Sequence, residues 1–121
     1  MDKIFIFAGT KDGRVLAGLL SQIEKEVHIF VATEYGEEVL PKEDGLHIHQ
    51  GRMDASEMAD FFERERPDIV VDATHPFAIE VSANMKLACD RTKITYIRLL
   101  REKQQEMTVS YIVKMIRQTY E

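Results

Sequence analysis

Cysteine is almost missing from this chain: its 121 residues include one, Cys89. A single thiol excludes an internal disulfide framework. Its place within a helical pattern reads as a small buried hydrophobe in a reducing compartment. Positive charge is scarce as well. There are 16 Lys and Arg against 21 Asp and Glu, a formal net charge of −5, so no basic stripe offers nucleic acid a footprint and none is expected as a partner. A small phosphate needs less, since local cations and backbone N–H groups suffice to hold it. Long apolar runs are absent too. Met1-Asp2-Lys3 leads into only five apolar residues, too few for a signal-peptide core or a membrane span, so no membrane contact is expected and the expected location is cytoplasmic. No repeat, low-complexity tract or Gly/Ser linker breaks the chain. It reads as one domain over residues 1–121, with the 45% hydrophobic and 31% charged composition of an ordinary globular protein.

What is present is alternation of strand and helix. Ile4 to Ala8 is a continuous apolar run, the pattern of a buried strand. Gly9-Thr10 ends it, with Thr10 placed to cap a helix whose stripe is Val15, Leu16, Leu19, Leu20 and Ile23. Glu26 to Ala32 reads as a second strand ending at Thr33-Glu34-Tyr35-Gly36, with a short helical turn before Pro41. Leu46 to Gln50 is a third, more polar strand suited to an edge. Asp54-Ala55-Ser56-Glu57 is a capping box opening a helix to Arg66, with Met58, Phe61 and Phe62 inward. Pro67 then resets the chain into a buried strand through Val71. A second helix follows, starting at Pro76 and burying Phe77, Val81, Met85 and Ala88. Lys93 to Leu99 is a fifth strand. Lys103 to Glu121 looks like a C-terminal helix with Val109, Ile112, Val113, Ile116 and Tyr120 on one face. This alternation predicts an α/β, Rossmann-like three-layer sandwich: a five-stranded parallel sheet of order 3-2-1-4-5 with helices on both faces.

In such a sheet ligands bind beyond the carboxyl ends of the strands, at the switch point between strands one and four. Two chemically loaded turns flank that point. Gly9-Thr10-Lys11-Asp12-Gly13-Arg14 is not a G-x-G-x-x-G fingerprint, but Gly9 and Gly13 permit close backbone approach and Arg14 can add a charge-assisted bond to a phosphate. Asp72-Ala73-Thr74-His75-Pro76-Phe77-Ala78 brings a carboxylate, a hydroxyl and an imidazole into one turn, where function concentrates. At the tip of strand two, Thr33 tolerates a ribose 2′-phosphate and leans towards NADP, while Glu34 leaves NAD open. Arg52 lies where a cation can reach that phosphate. His47 and His49 share a strand face, yet a metal site needs a third ligand. No Cys or carboxylate is evidently placed to help, so they read as surface histidines and no metal is expected. Paired catalytic carboxylates, a G-x-S-x-G elbow and a Walker loop are all missing.

Three stretches carry a family resemblance: Gly9-Thr10-Lys11-Asp12-Gly13-Arg14, Val31-Ala32-Thr33-Glu34-Tyr35-Gly36 and Asp72 to Ala78. In this order they resemble the precorrin-6A reductase family of cobalamin biosynthesis, with Gly51-Arg52-Met53-Asp54 and Tyr96 to Arg101 similar as well. Ala8 stands where the family's first turn has an additional glycine, and Asp12 where it has glutamate. The resemblance implies an NADPH-dependent reductase, an oxidoreductase that delivers hydride to precorrin-6A or its cobalt-containing counterpart, giving the 6B form. It implies that Gly9, Thr10 and Arg14 hold the pyrophosphate region, that Thr33, Tyr35, Gly36 and Arg52 line the adenosine side, and that Thr74, His75, Pro76 and Phe77 lie near the nicotinamide and the tetrapyrrole. It assigns no catalytic acid or base. Family members are about twice as long, with a second half closing over the substrate, so this chain corresponds to the N-terminal half and its tail from Lys103 is unmatched. Three readings follow: a fragment, a degenerate relative, or half of a cleft completed by a second copy or another protein. The alternatives are a non-catalytic nucleotide-binding module and a protein-interaction module derived from the reductase.

Overall fold

The computed structural model describes residues 3–22, 26–32 and 46–99. Strand β1 (Lys3–Ala8) leads into helix α1 (Lys11–Ser21), and β2 (Glu26–Val31) and β3 (Leu46–Gln50) follow. Helix α2 (Ala55–Glu65), β4 (Ile69–Ala73), helix α3 (Ile79–Thr92) and β5 (Thr95–Arg98) complete the described elements. All four strand pairings are parallel and the order is β3-β2-β1-β4-β5, as the alternation predicts. Ile23, the Thr33–Gly36 turn, the expected turn before Pro41 and the expected helix from Lys103 lie outside the described residues.

Strand alternation splits the core into two layers. On one face Ile4, Ile6, Val27, Ile29, Ile69 and Val71 pack against Leu16, Ala17 and Leu20 of α1. On the other, Phe5, Phe7, Phe30 and Val70 pack against Met58 and Phe62 of α2 and Met85, Ala88 and Cys89 of α3. Val15 and Leu19, expected on the buried stripe of α1, are exposed. Gly13 seats this helix so closely on the sheet that its buried arc centres on Leu16, Ala17 and Leu20. A Cβ at Gly13 would lie 2.8 Å from the Ala73 Cβ and 3.2 Å from the Ala8 Cβ.

Local signals decide the helix ends. In α2 the Asp54 carboxylate accepts from the Glu57 N–H at 2.8 Å and the Glu57 carboxylate accepts from the Asp54 N–H at 3.0 Å, the reciprocal pair the sequence predicts. Helix α3 departs from expectation. It starts at Ile79 after an uncapped Ala78, and Pro76 and Phe77 instead form a turn closed by the Ala78 N–H on the His75 carbonyl at 2.9 Å. Phe77 therefore lies off the helix and is 85% exposed rather than buried.

Candidate functional site

The turns after β1 and β4 meet. The Gly9 N–H and the Thr10 hydroxyl both donate to the Ala73 carbonyl, at 3.1 and 2.9 Å. Thr10 also caps α1, accepting from the Gly13 N–H at a long 3.5 Å. A Cβ at Gly9 would stand 3.2 Å from the His75 nitrogen and 3.3 Å from the Thr74 Cα, so the glycine permits this approach of two backbones.

Beside that junction, at the carboxyl ends of β1, β2 and β3, opens a cavity of about 720 Å³, within the range of small-molecule and cofactor sites. Its wall includes Phe7, Gly9, Phe30, Ala32, Arg52, Met53, Thr74, His75, Phe77 and Ile79. Arg52 reaches the rim from the turn after β3, where Gly51 takes a φ of +131° that disfavours side chains and donates its N–H to the Val31 carbonyl at 3.0 Å. His75 accepts the Phe77 N–H at Nδ1, 3.1 Å away, which leaves the neutral ring's proton on Nε2. The structure thus brings Gly9, Arg52, Thr74, His75 and Phe77 around one space. Thr10 is committed to capping, Arg14 and Pro76 do not line the cavity, and Thr33, Tyr35 and Gly36 lie outside the described residues.

Beneath the second turn sits a group whose importance the motif reading missed. Asp72 is wholly buried. One of its carboxylate oxygens accepts from the Thr74 N–H at 3.1 Å, the Thr74 hydroxyl at 2.6 Å and Arg98 Nη1 at 3.1 Å; the other accepts from the Tyr96 hydroxyl at 2.7 Å. Arg98 also donates to the Asp72 and Thr74 carbonyls. Burial alone would raise the Asp72 pKa, but hydrogen bonds from Ser82, Thr74 and Tyr96 together bring it below the usual carboxylate value. Tyr96 is driven the other way, first by burial and then by the carboxylate it serves. The sequence signal was the Tyr96-x-Arg98 pair on β5, since parallel register sets Arg98 beside Asp72. Nearby Cys89 is a buried thiol pushed up to about 12 by burial, with Asp72 adding to the effect. It is inert at neutral pH, as its helical position suggested.

The histidines of β3 need a correction. His47 is exposed as expected, but His49 is partly buried, stacked 4.6 Å from Phe30. A carboxylate does lie close: Glu26 of β2 groups with His28 and His47. The β2–β3 register pairs His28 with His47, a relation invisible before the sheet forms.

A parallel sheet of this order, with a cleft at its switch point between β1 and β4, defines a Rossmann-like α/β domain. The chain belongs to the precorrin-6x reductase CbiJ/CobK family, whose model matches residues 3–119. It is 35% identical over 101 residues to the cobalt-precorrin-6A reductase of Priestia megaterium, a match covering 84% of this chain and 39% of that protein. Its counterpart in Methanothermobacter thermautotrophicus is 30% identical over 99 residues, covering 81% and 33% respectively. The solved structure of CobK precorrin-6A reductase superposes with a TM-score of 0.72 at 27% identity, over 84% of this chain and 38% of that one. The chain therefore spans between 33% and 39% of the length of these two curated relatives. The tail from Lys103, expected to be unmatched, lies within the family match up to residue 119, beyond the recognisable motifs that stop at Arg101. Among the described residues no helix is long and apolar enough to cross a membrane.

Proposed function

We propose that this chain supplies the nucleotide-binding wall of an NADPH-dependent reductase that converts precorrin-6A, or its cobalt-containing form, to the 6B form. The observation that carries the reading is the single cavity joining Gly9, Arg52, Thr74, His75 and Phe77 at the switch point. Family membership supports the reaction class.

The residues fit a nicotinamide dinucleotide. Gly9 lines the cavity just before α1, and a Cβ there would crowd the Thr74–His75 backbone at 3.2 to 3.3 Å; a helix start of this kind favours a phosphate. When bound, the reduced nicotinamide supplies the hydride, and the protein's part is position and electrostatics. On this reading Gly9 lies at the pyrophosphate end, Thr10 holds the turn there through its cap, and Arg14 adds positive charge from the first turns of α1 without lining the cavity. Arg52 holds the 2′-phosphate, and Thr33, Tyr35 and Gly36 line the adenosine side. Thr74 and His75 form the reacting end, Pro76 shapes the turn that carries them, and exposed Phe77 offers an apolar surface beside it. Asp72 acts through Thr74 by holding the turn still.

Titration with NADPH and NADH, followed by nucleotide fluorescence, tests this. Saturable binding that prefers NADPH is expected, with Arg52→Ala costing NADPH about tenfold, or about 1.4 kcal/mol, and NADH little. Binding of neither nucleotide would overturn the reading.

One observation favours a second component. Phe77 and Ile79, 85% and 74% exposed, stand together on the cavity rim, and a tetrapyrrole needs more than one apolar wall. We propose that a second half, a second copy or a partner closes over this lip. If nucleotide fails to bind while the lip still mediates association, the derived interaction module becomes the better reading.

A further inference from the structure

On one face β2 and β3 carry Glu26, His28, His47 and His49, with Glu26 at the end of β2 away from the cavity and His49 beside Phe30 of the cavity wall. Glu26 begins β2, roughly 16 Å along the strand from the Val31 tip at a strand rise of ~3.3 Å per residue. His28 is its same-face neighbour two residues on, His47 is the register partner of His28, and His49 lies two residues beyond His47. The nearest donor atoms of Glu26, His28 and His47 all lie within 4.8 Å of one another.

We propose that Glu26, His28 and His47 form a binding site for a divalent transition metal of the zinc class. The donor set is two imidazoles and a carboxylate, which suits zinc, cobalt or nickel and disfavours calcium or magnesium. Tetrahedral coordination with ~2.0 Å bonds separates donor atoms by roughly 3.3 Å. Glu26 and His47 are both exposed, so side-chain rotation reaches that spacing: the 2.6 Å Glu26–His28 contact opens and the His47 ring turns out of its stack on His28. Water takes the fourth position.

Two further features support the assignment. His28 is buried and its ring is held at both nitrogens: Nε2 meets the Glu26 carboxylate at 2.6 Å and Nδ1 meets His49 Nε2 at 2.7 Å. With Nε2 on the metal, the ring keeps its proton at Nδ1 and donates it to His49, the kind of outer partner that fixes a ligating histidine. His49 is itself fixed by stacking on Phe30. The competing cation is weakly engaged. Lys3 Nζ is 3.9 Å from Glu26 and bonds instead to Glu65, at 3.0 Å to its carbonyl and 3.4 Å to its carboxylate. Bound metal would tie the edge strand β3 to β2 at the end remote from the cavity, a structural clamp rather than part of the reaction.

Untagged full chain, stripped with chelator and dialysed, is titrated with Zn²⁺ against a chromophoric competitor and with Co²⁺ by visible absorption. One Zn²⁺ per chain at micromolar Kd or tighter is expected, with Co²⁺ giving the intense visible bands of a tetrahedral site. His47→Ala and Glu26→Gln change exposed side chains and should each weaken Zn²⁺ at least tenfold, whereas His75→Ala should leave it unchanged. Circular dichroism verifies that each variant is folded. Binding weaker than micromolar would overturn the proposal. So would affinity indifferent to both His47→Ala and Glu26→Gln, or affinity lost equally with His75→Ala.

Discussion

On the face covered by α1, strands β1, β2 and β4 present Ile4, Ile6, Val27, Ile29, Ile69 and Val71; on the other face the alternating positions are Phe5, Phe7, His28, Phe30, Val70 and Asp72. The first set is aliphatic and meets one helix seated directly on the strands. The second mixes rings, imidazoles and a carboxylate beneath two helices. Phe7 and Phe30 stack at 4.5 Å, Phe30 and His49 at 4.6 Å, and this ring layer leads from the histidine cluster to the cavity. The contrast separates two jobs. One face holds the fold together through volume filled without polar cost; the other gives up some of that packing for groups that can contact a ligand.

The comparison can be broken most forcefully on the aliphatic face. Leu16 is fully buried, and Leu16→Ala should lower stability by about 3 kcal/mol in urea unfolding, the usual cost of emptying a core leucine site. Nucleotide affinity of the folded variant should stay within about twofold, because Leu16 packs in the aliphatic layer and does not line the cavity. Loss of both together would mean that the two faces do not divide the work.

A smaller stability loss is expected from the other face, but with a functional signature. Asp72→Ala strands the Tyr96 hydroxyl and the Arg98 guanidinium and should cost about 2 kcal/mol, together with weaker NADPH binding as the Thr74–His75 turn loses its anchor. The sign with pH follows from the lowered Asp72 pKa. Its ionised form is favoured in the folded state, so its contribution is full above the ordinary value of 3.8 and fades as pH falls through the lower folded pKa. The stability gap between wild type and Asp72→Asn, measured in urea, should therefore be wide at pH 7 and narrow towards pH 3. A constant gap would show that the carboxylate's charge contributes nothing there. Smallest is the cap of α2, where Asp54→Ala removes the carboxylate that accepts the Glu57 N–H at an exposed helix start and leaves the backbone N–H that donates to Glu57. About 1 kcal/mol is expected, read as a shift in thermal midpoint.

The strands, their parallel order and the start of α2 were legible because each rests on short-range information: apolar runs of strand length, a helical period between them, and a cap read within four residues. The turn at Asp72 to Ala78 was legible as a site because its polar groups are contiguous. Phe77 was misjudged because helical periodicity was carried back through Pro76 into a turn that is not helical. Val15 and Leu19 were misjudged because a hydrophobic stripe wider than the contact leaves its margin exposed once Gly13 brings α1 close to Ala8 and Ala73.

By itself, then, the order of residues determined the class of fold, the family and the two turns that meet at the cleft, since all of these follow from local pattern and contiguous motif. Only the tertiary structure decided that Asp72 anchors the second turn through Tyr96 and Arg98, residues more than twenty positions away in sequence. It also decided that Glu26 and His28 join His47. Both outcomes depend on strand register, which places side chains from separate strands about 5 Å apart and exists only when the sheet has formed.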